Sequence, residues 1–208
     1  MRAFRGGREG PRTAQADLLV VGLGNPGAEF EHTRHNVGAD TVMLIASRCG
    51  ERFRTVRGAN ARAAEVRIEG HRVVVAFPLT YMNDSGLAVR ALTDRYGIDD
   101  LNRLVVVHDE LDLPVGRVKV KAGGGTAGHN GLKSVHQHLH DQGYVRVRIG
   151  IGKPPGSRSG ADHVLRRPGS KERQLLEVAV VEAADAVELI ATAGVAEAMN
   201  RFNTDPGT

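Results

Sequence analysis

Five side chains in this sequence form a plausible set of catalytic tools: His35, Asp109 and the amides of Asn25, Asn83 and Asn130. Each follows a strand-like apolar run or a glycine-rich turn, the loops where open α/β sheets gather their functional groups. An imidazole with a carboxylate on its second nitrogen can take a proton from a nucleophile, because the carboxylate selects the tautomer and stabilises the imidazolium. No protein nucleophile accompanies the pair. The chain has no G-x-S-x-G elbow, and its single cysteine, Cys49, falls on an apolar helical stripe. The proton is therefore expected to come from water, with the asparagines fixing the substrate and donating to a developing oxyanion. The implied reaction is hydrolysis of a labile acyl bond such as an ester.

The stretch from Asp17 to Asn36 must position the first of these groups. Leu18 to Val21 is a short β-branched run that stops at Gly22, as a buried strand would. Gly22, Gly24 and Gly27 also fit G-x-G-x-x-G, which makes a nicotinamide-dependent oxidoreductase a rival reading. That fingerprint needs a helix to open inside the turn. Pro26 restricts the backbone there, and residues 28–34 show no apolar stripe, so the turn is expected to let Asn25 face His35 and to cradle no cofactor. Helical spacing begins only with Val42, Ile45, Ala46 and Cys49, with Asn36 as N-cap and Gly50 as the stop.

Downstream, residues 60–68 and 71–77 read as a hairpin turning at Glu69-Gly70, and Leu87 to Tyr96 as a helix capped by Asp84 or Ser85 and ended by Gly97. The continuous run Leu104 to Val107 predicts a strand buried on both faces that delivers His108, Asp109 and Glu110. Alternation over 117–121 puts Arg117, Lys119 and Lys121 on one strand face, and alternation over 144–149 does the same for Arg146 and Arg148. Between them lie Gly123 to Gly125 and a helix from about Gly131 to His140. His136, His138 and His140 spell H-x-H-x-H, but only the outer two share a helical face, so no metal is expected. Residues 153–160 form a Pro-, Gly- and Ser-rich loop suited to cover a site, and Ser170 to Asn203 reads as helix broken at Gly194. Strands alternate with helices apart from one hairpin, which predicts a single α/β domain over 17–208 with a mixed sheet.

Charge is distributed unevenly. The first 16 residues hold four Arg and one Glu without a core-forming pattern and are expected to be a disordered tail. Residues 115–173 carry twelve Lys or Arg against three acids, whereas the whole chain of 208 residues is only +4, so one segment holds the basic field and suits a polyanionic partner. No apolar stretch approaches membrane-spanning length and one cysteine permits no intrachain disulfide, so a cytoplasmic setting without a membrane partner is expected.

The segments GLGNPG, TRHNVG, YMNDSG, HDELDLP and GGGTAGHNGLKS, in this order and spacing, resemble those of the bacterial peptidyl-tRNA hydrolases. The resemblance runs from about Asp17 to Phe202. It implies a monomer with a twisted mixed sheet flanked by helices. It also implies metal-free cleavage of the ester between a peptide and the 3′-terminal ribose of tRNA, which frees the tRNA for translation. In that pattern His35 is the base and Asp109 its orienting partner. Asn25 and Asn83 hold the peptide and the water or oxyanion, while Asn130 positions water and substrate. Met82 walls the pocket, and Lys119, Lys121 and Arg148 fall near the tRNA phosphates. Two positions depart from the pattern. Phe30 stands where many members have tyrosine, which keeps an aromatic wall of the substrate pocket without the hydroxyl, and Thr126-Ala127 replaces a common His or Gly pair. A catalytically inert RNA-binding module on the same scaffold is the alternative.

Overall fold

A computed structural model describes residues 15–154, 156 and 159–204. The elements are β1 (Leu18–Gly22), α1 (Val37–Arg48), β2 (Arg54–Val56), β3 (Ala61–Ile68), β4 (His71–Pro78), α2 (Ser85–Tyr96), β5 (Leu104–Glu110), β6 (Val118–Ala122), α3 (Asn130–Leu139), β7 (Val145–Gly150), α4 (Gly160–Val164), α5 (Ser170–Ala193) and α6 (Val195–Asn203). The strands form a seven-stranded sheet in the order β2-β3-β4-β1-β5-β7-β6. Its centre is parallel, β1 pairing with both β4 and β5 and β5 with β7, while β3–β4 and β6–β7 are antiparallel, so the mixed α/β sheet expected from the sequence is present.

The pleat explains the uninterrupted apolar runs. Leu18 and Val20 of β1 face a core shared with α1 and α5, while Leu19 and Val21 face a second core shared with α2. A strand covered on both faces has no position left for a polar residue. Every residue of β5 is buried as well, including its polar end His108-Asp109-Glu110. The connection leaving β1 runs through α1 on one face, and that leaving β4 runs through α2 on the other. The loops beyond β1, β4 and β5 therefore frame a crevice at a topological switch point.

Several local expectations hold in detail. The hairpin turns on Glu69 at φ 48° and Gly70 at φ 91°, the two left-handed residues that a tight two-residue turn needs. Gly97 ends α2 in the left-handed region. Asn36 does stand at the N-cap of α1, but its side chain makes no capping bond there. The start of the packed chain needs correction: Ala16, assigned above to the disordered tail, is fully buried and bonds Tyr96 O through its amide, because its methyl completes the core beneath α2. Residues 1–14 of that tail lie outside the described residues, as do 155, 157 and 158 of the expected covering loop.

Gly22 of GLGNPG and Gly38 of α1 allow close approach. A Cβ on Gly22 would lie 2.1 Å from Gly38 O, and one on Gly38 would lie 2.3 Å from Val107 O, so the first turn of α1 rests directly on the ends of β1 and β5. Gly38→Ala should therefore overpack a backbone-to-backbone contact, costing about 3 kcal/mol or more and lowering Tm by roughly 6 to 12 °C. Thermal unfolding by circular dichroism checks this, and an unchanged Tm would contradict the close packing.

Asp40 lines an apolar groove of about 430 Å³ between α1 and α5. Burial pushes its carboxyl from the ordinary 3.8 up to about 6, opposed by His32 and reinforced by Glu31. An acid whose folded pKa is raised destabilises the fold when ionised. The cost is absent below the ordinary value and complete above about 6. Asp40→Asn should thus stabilise the protein by on the order of 1 to 3 kcal/mol at about pH 7.5 and hardly at all at about pH 3.5. Urea unfolding at both pH values reads the difference, and equal gains at both would refute the assignment.

Candidate active site

The crevice is built from the ends of β1, β4 and β5 and the start of α3. Beyond β1 the chain is held to the neighbouring strand by Leu23 N–H donating to Val107 O at 3.0 Å. The loop that follows is fixed by Asn36, whose Oδ1 accepts from Asn25 N at 2.9 Å and whose Nδ2 donates to Asn25 O at 2.9 Å. An amide bracketing one residue in this way substitutes for a neighbouring strand. The Asn25 side chain is fixed in turn, because Met82 N donates to its Oδ1 at 2.8 Å. That leaves its Nδ2 as the group with donors to offer. The short 3-10 turn Arg34–Asn36 then presents His35.

His35 Nδ1 lies 2.8 Å from Asp109 Oδ1, with His35 8% and Asp109 3% exposed. Burial opposes ionisation of Asp109, yet His35 and His129 together outweigh it and hold the carboxyl well below the usual carboxylate range. The carboxylate accordingly accepts from His35 Nδ1–H and leaves Nε2 of that ring with a lone pair. Asp109 Oδ1 also meets His129 Nε2 at 2.9 Å. The tautomer of His129 follows from its other bond: Nδ1 caps α3 by accepting from Leu132 N at 3.3 Å, so the proton sits on Nε2 and is donated to Asp109. His108 completes the cluster. Burial lowers its pKa to about 3, so it stays neutral, and its Nδ1 lies 2.7 Å from Asp109 O.

Two cavities meet at His35. One, of about 300 Å³, is lined by Asn25, Phe30, Tyr81, Met82, Asn83 and Asn130 besides His35. The other, of about 220 Å³, lies beside Asp109, Glu110, Gly128, His129 and Asn130. Ala161 and Val164 of α4 roof both. The structure thus gathers the sequence-derived residues His35, Asp109, Asn25, Phe30, Met82, Asn83 and Asn130 around one crevice. Phe30 packs edge-on against Tyr81, ring centres 6.4 Å apart.

Lys119, Lys121 and Arg148 stand apart from this crevice, on the outer strands. Lys119 faces Arg148 across the β6–β7 pair, and Lys121 faces Arg146. Arg148 is partly engaged within the protein: its Nε and Nη2 lie 3.2 and 3.1 Å from Glu110 Oε2. Arg146 is a structural cation, 3% exposed, that donates to the carbonyls of Gly124 and Gly125 and lies over the Tyr144 ring. It thereby ties down a glycine segment too flexible to hold its own shape. Arg117 precedes the strand and donates to Thr204 O, so the expected three-cation ladder is two lysines long.

Among the described residues, His35, Asp109 and His129 are the group whose ligand atoms lie close enough to share an ion, within 4.8 Å of one another. Their 2.8 and 2.9 Å contacts are hydrogen bonds, and an ion at about 2.0 to 2.2 Å from each ligand would have to displace both protons. Sequence reasoning passed over His129. Its signal was a ring nitrogen at a helix N-cap, next to an amide already singled out.

Known proteins resemble this chain in both sequence and fold. A peptidyl-tRNA hydrolase family model matches residues 19–207. The peptidyl-tRNA hydrolase of Nocardia farcinica is 46% identical over 194 residues, 93% of this chain and 99% of that protein. That of Kineococcus radiotolerans is 48% identical over 192 residues, covering 89% of this chain and 96% of the relative. A crystal structure of peptidyl-tRNA hydrolase from Acinetobacter baumannii superposes with a TM-score of 0.85 at 37% identity, over 91% of this chain and 96% of that one. Because the match spans the whole sheet and every loop of the crevice, this chain belongs to the peptidyl-tRNA hydrolase family.

Proposed function

We propose that the protein hydrolyses the ester between a peptide and the 3′-terminal ribose of tRNA, with His35 as general base and Asp109 as its orienting partner. The observation that carries this reading is the 2.8 Å contact between His35 Nδ1 and Asp109 Oδ1 at the junction of two cavities. His35 Nε2 takes a proton from water as the water oxygen attacks the ester carbonyl. The imidazolium, stabilised by Asp109, then returns the proton to the departing ribose oxygen. Asn25 Nδ2 faces the substrate because its Oδ1 is committed to Met82 N, so it offers donors to the peptide or the oxyanion. Asn130, lining both cavities, aligns water with the ester, while Asn83 at the open rim holds the peptide. Phe30 and Met82 supply apolar walls.

The tRNA reaches this crevice over the basic segment, where Lys119 and Lys121 meet phosphate. Arg148 contributes with its charge reduced by Glu110. Such contacts give sequence-independent affinity that falls with salt. Amide donors in a partly dry crevice also favour N-acylated substrates, since a charged α-amine would be costly to desolvate there. The reading takes the protein to act as a monomer, and no metal or cofactor is assigned a step. No helix among the described residues is long and apolar enough to cross a membrane.

The test is incubation of purified protein with N-acetyl-aminoacyl-tRNA, following free N-acetyl-amino acid and deacylated tRNA. Multiple turnovers without added metal are expected. Salt-sensitive tRNA binding without release would instead support the inert RNA-binding reading.

A further inference from the structure

Arg34 precedes the proposed base, yet nothing in the mechanism uses it. It is 7% exposed, and its guanidinium is committed to one region of the chain. Its Nε and Nη2 meet Glu172 Oε1 and Oε2 at 2.5 and 2.6 Å, a two-pronged pair with the start of α5. Its Nη1 donates to the carbonyls of His163 and Arg166 at 3.2 and 2.9 Å. Those carbonyls lie at and just beyond the end of α4. A planar guanidinium can serve two carboxylate oxygens and two carbonyls together, which an ammonium cannot.

The target of this clamp explains its importance. The helix α4 is five residues long and has one buried side chain, Val164, so neither helix propensity nor burial fixes its place. Tethers must do so. Ala161 and Val164 nevertheless roof both cavities around His35. A second tether runs the same way, Arg167 donating to Ala28 O and Glu31 O at 3.0 Å each.

We propose that Arg34 is a positioning residue that seats α4 over the reacting ester, through its pair with Glu172 and the carbonyls of His163 and Arg166. The proposal rests on the hydrolase reading above. Arg34 touches neither His35's partner nor the crevice, so its loss removes roof contacts that bind substrate and transition state alike. Such a loss raises KM and spares kcat.

The experiment measures Michaelis parameters with N-acetyl-aminoacyl-tRNA, together with backbone hydrogen exchange, for wild type, Arg34→Lys and the milder Glu172→Gln. Arg48→Ala serves as control, because Arg48 also joins α1 to α5, through Asp185 and Glu188. Arg34→Lys is expected to raise KM about tenfold, with kcat within about twofold and the pH profile unmoved. Exchange should quicken over 160–166 and not in β5, with Glu172→Gln showing the same pattern more weakly and Arg48→Ala showing neither change. An unchanged KM in both variants, a loss of kcat at constant KM, or exchange quickened throughout the chain would each overturn the proposal. A wild type without turnover would remove the hydrolase reading and the proposal with it, whereas turnover with unaltered KM removes the proposal alone.

Discussion

Asp109→Asn is expected to lower kcat for ester release by about 10²- to 10⁴-fold while leaving the fold and tRNA binding intact. An asparagine has nearly the same shape, and its Oδ1 can still accept from His35 Nδ1–H and His129 Nε2–H, so the geometry of the cluster survives. The charge does not. Asp109 is 3% exposed and keeps its proton off against the cost of burial because two histidines surround it. In the transition state His35 becomes an imidazolium, and at this depth a neutral amide offsets that charge poorly. The loss therefore falls on the chemical step. Single-turnover release at saturating protein measures it, and a rate within a few-fold of wild type would mean that Asp109 has no electrostatic role.

The parts of this site that were legible in the sequence are those fixed by short-range rules. The apolar run at Leu104 announced a strand buried on both faces, and with it the place of Asp109 at a strand end. Pro26 and the missing apolar stripe over 28–34 announced that no long helix opens inside the glycine turn, and α1 indeed begins only at Val37. Other features depended on register or distance. Arg148 pairs with Glu110 because β7 lies parallel to β5, with Arg148 beside His108 and Gly150 beside Glu110, and nothing in the strand's own alternation says so. His129 reaches Asp109 only because α3 begins beside the end of β5, twenty residues after it. A five-residue helix such as α4 is too short to show a period, so the covering loop at 153–160 was legible but the helix that follows it was not.

Asn36 shows a local rule leading to the right position for another reason. Its place at the start of α1 was read from capping propensity. The side chain is instead used to bracket Asn25. Asn25 Oδ1 then accepts from Met82 N, so two residues from two other motifs hold Asn25 in place. Such chains make the crevice rigid before substrate arrives, which amide-based oxyanion stabilisation requires.

The most direct test of the account is His35→Ala. Among the described residues, this ring is the one group that lines both cavities and also bonds Asp109, and neither neighbouring imidazole can replace it: His129 is committed at both nitrogens, and His108 is fully enclosed. Truncation should leave tRNA affinity nearly constant, since His35 lies away from Lys119 and Lys121. Release of N-acetyl-amino acid from tRNA under single-turnover conditions, measured beside equilibrium tRNA binding, separates the two effects. A fall in rate of about 10³-fold or more at unchanged binding is expected. A His35→Ala protein that keeps the wild-type rate would contradict it.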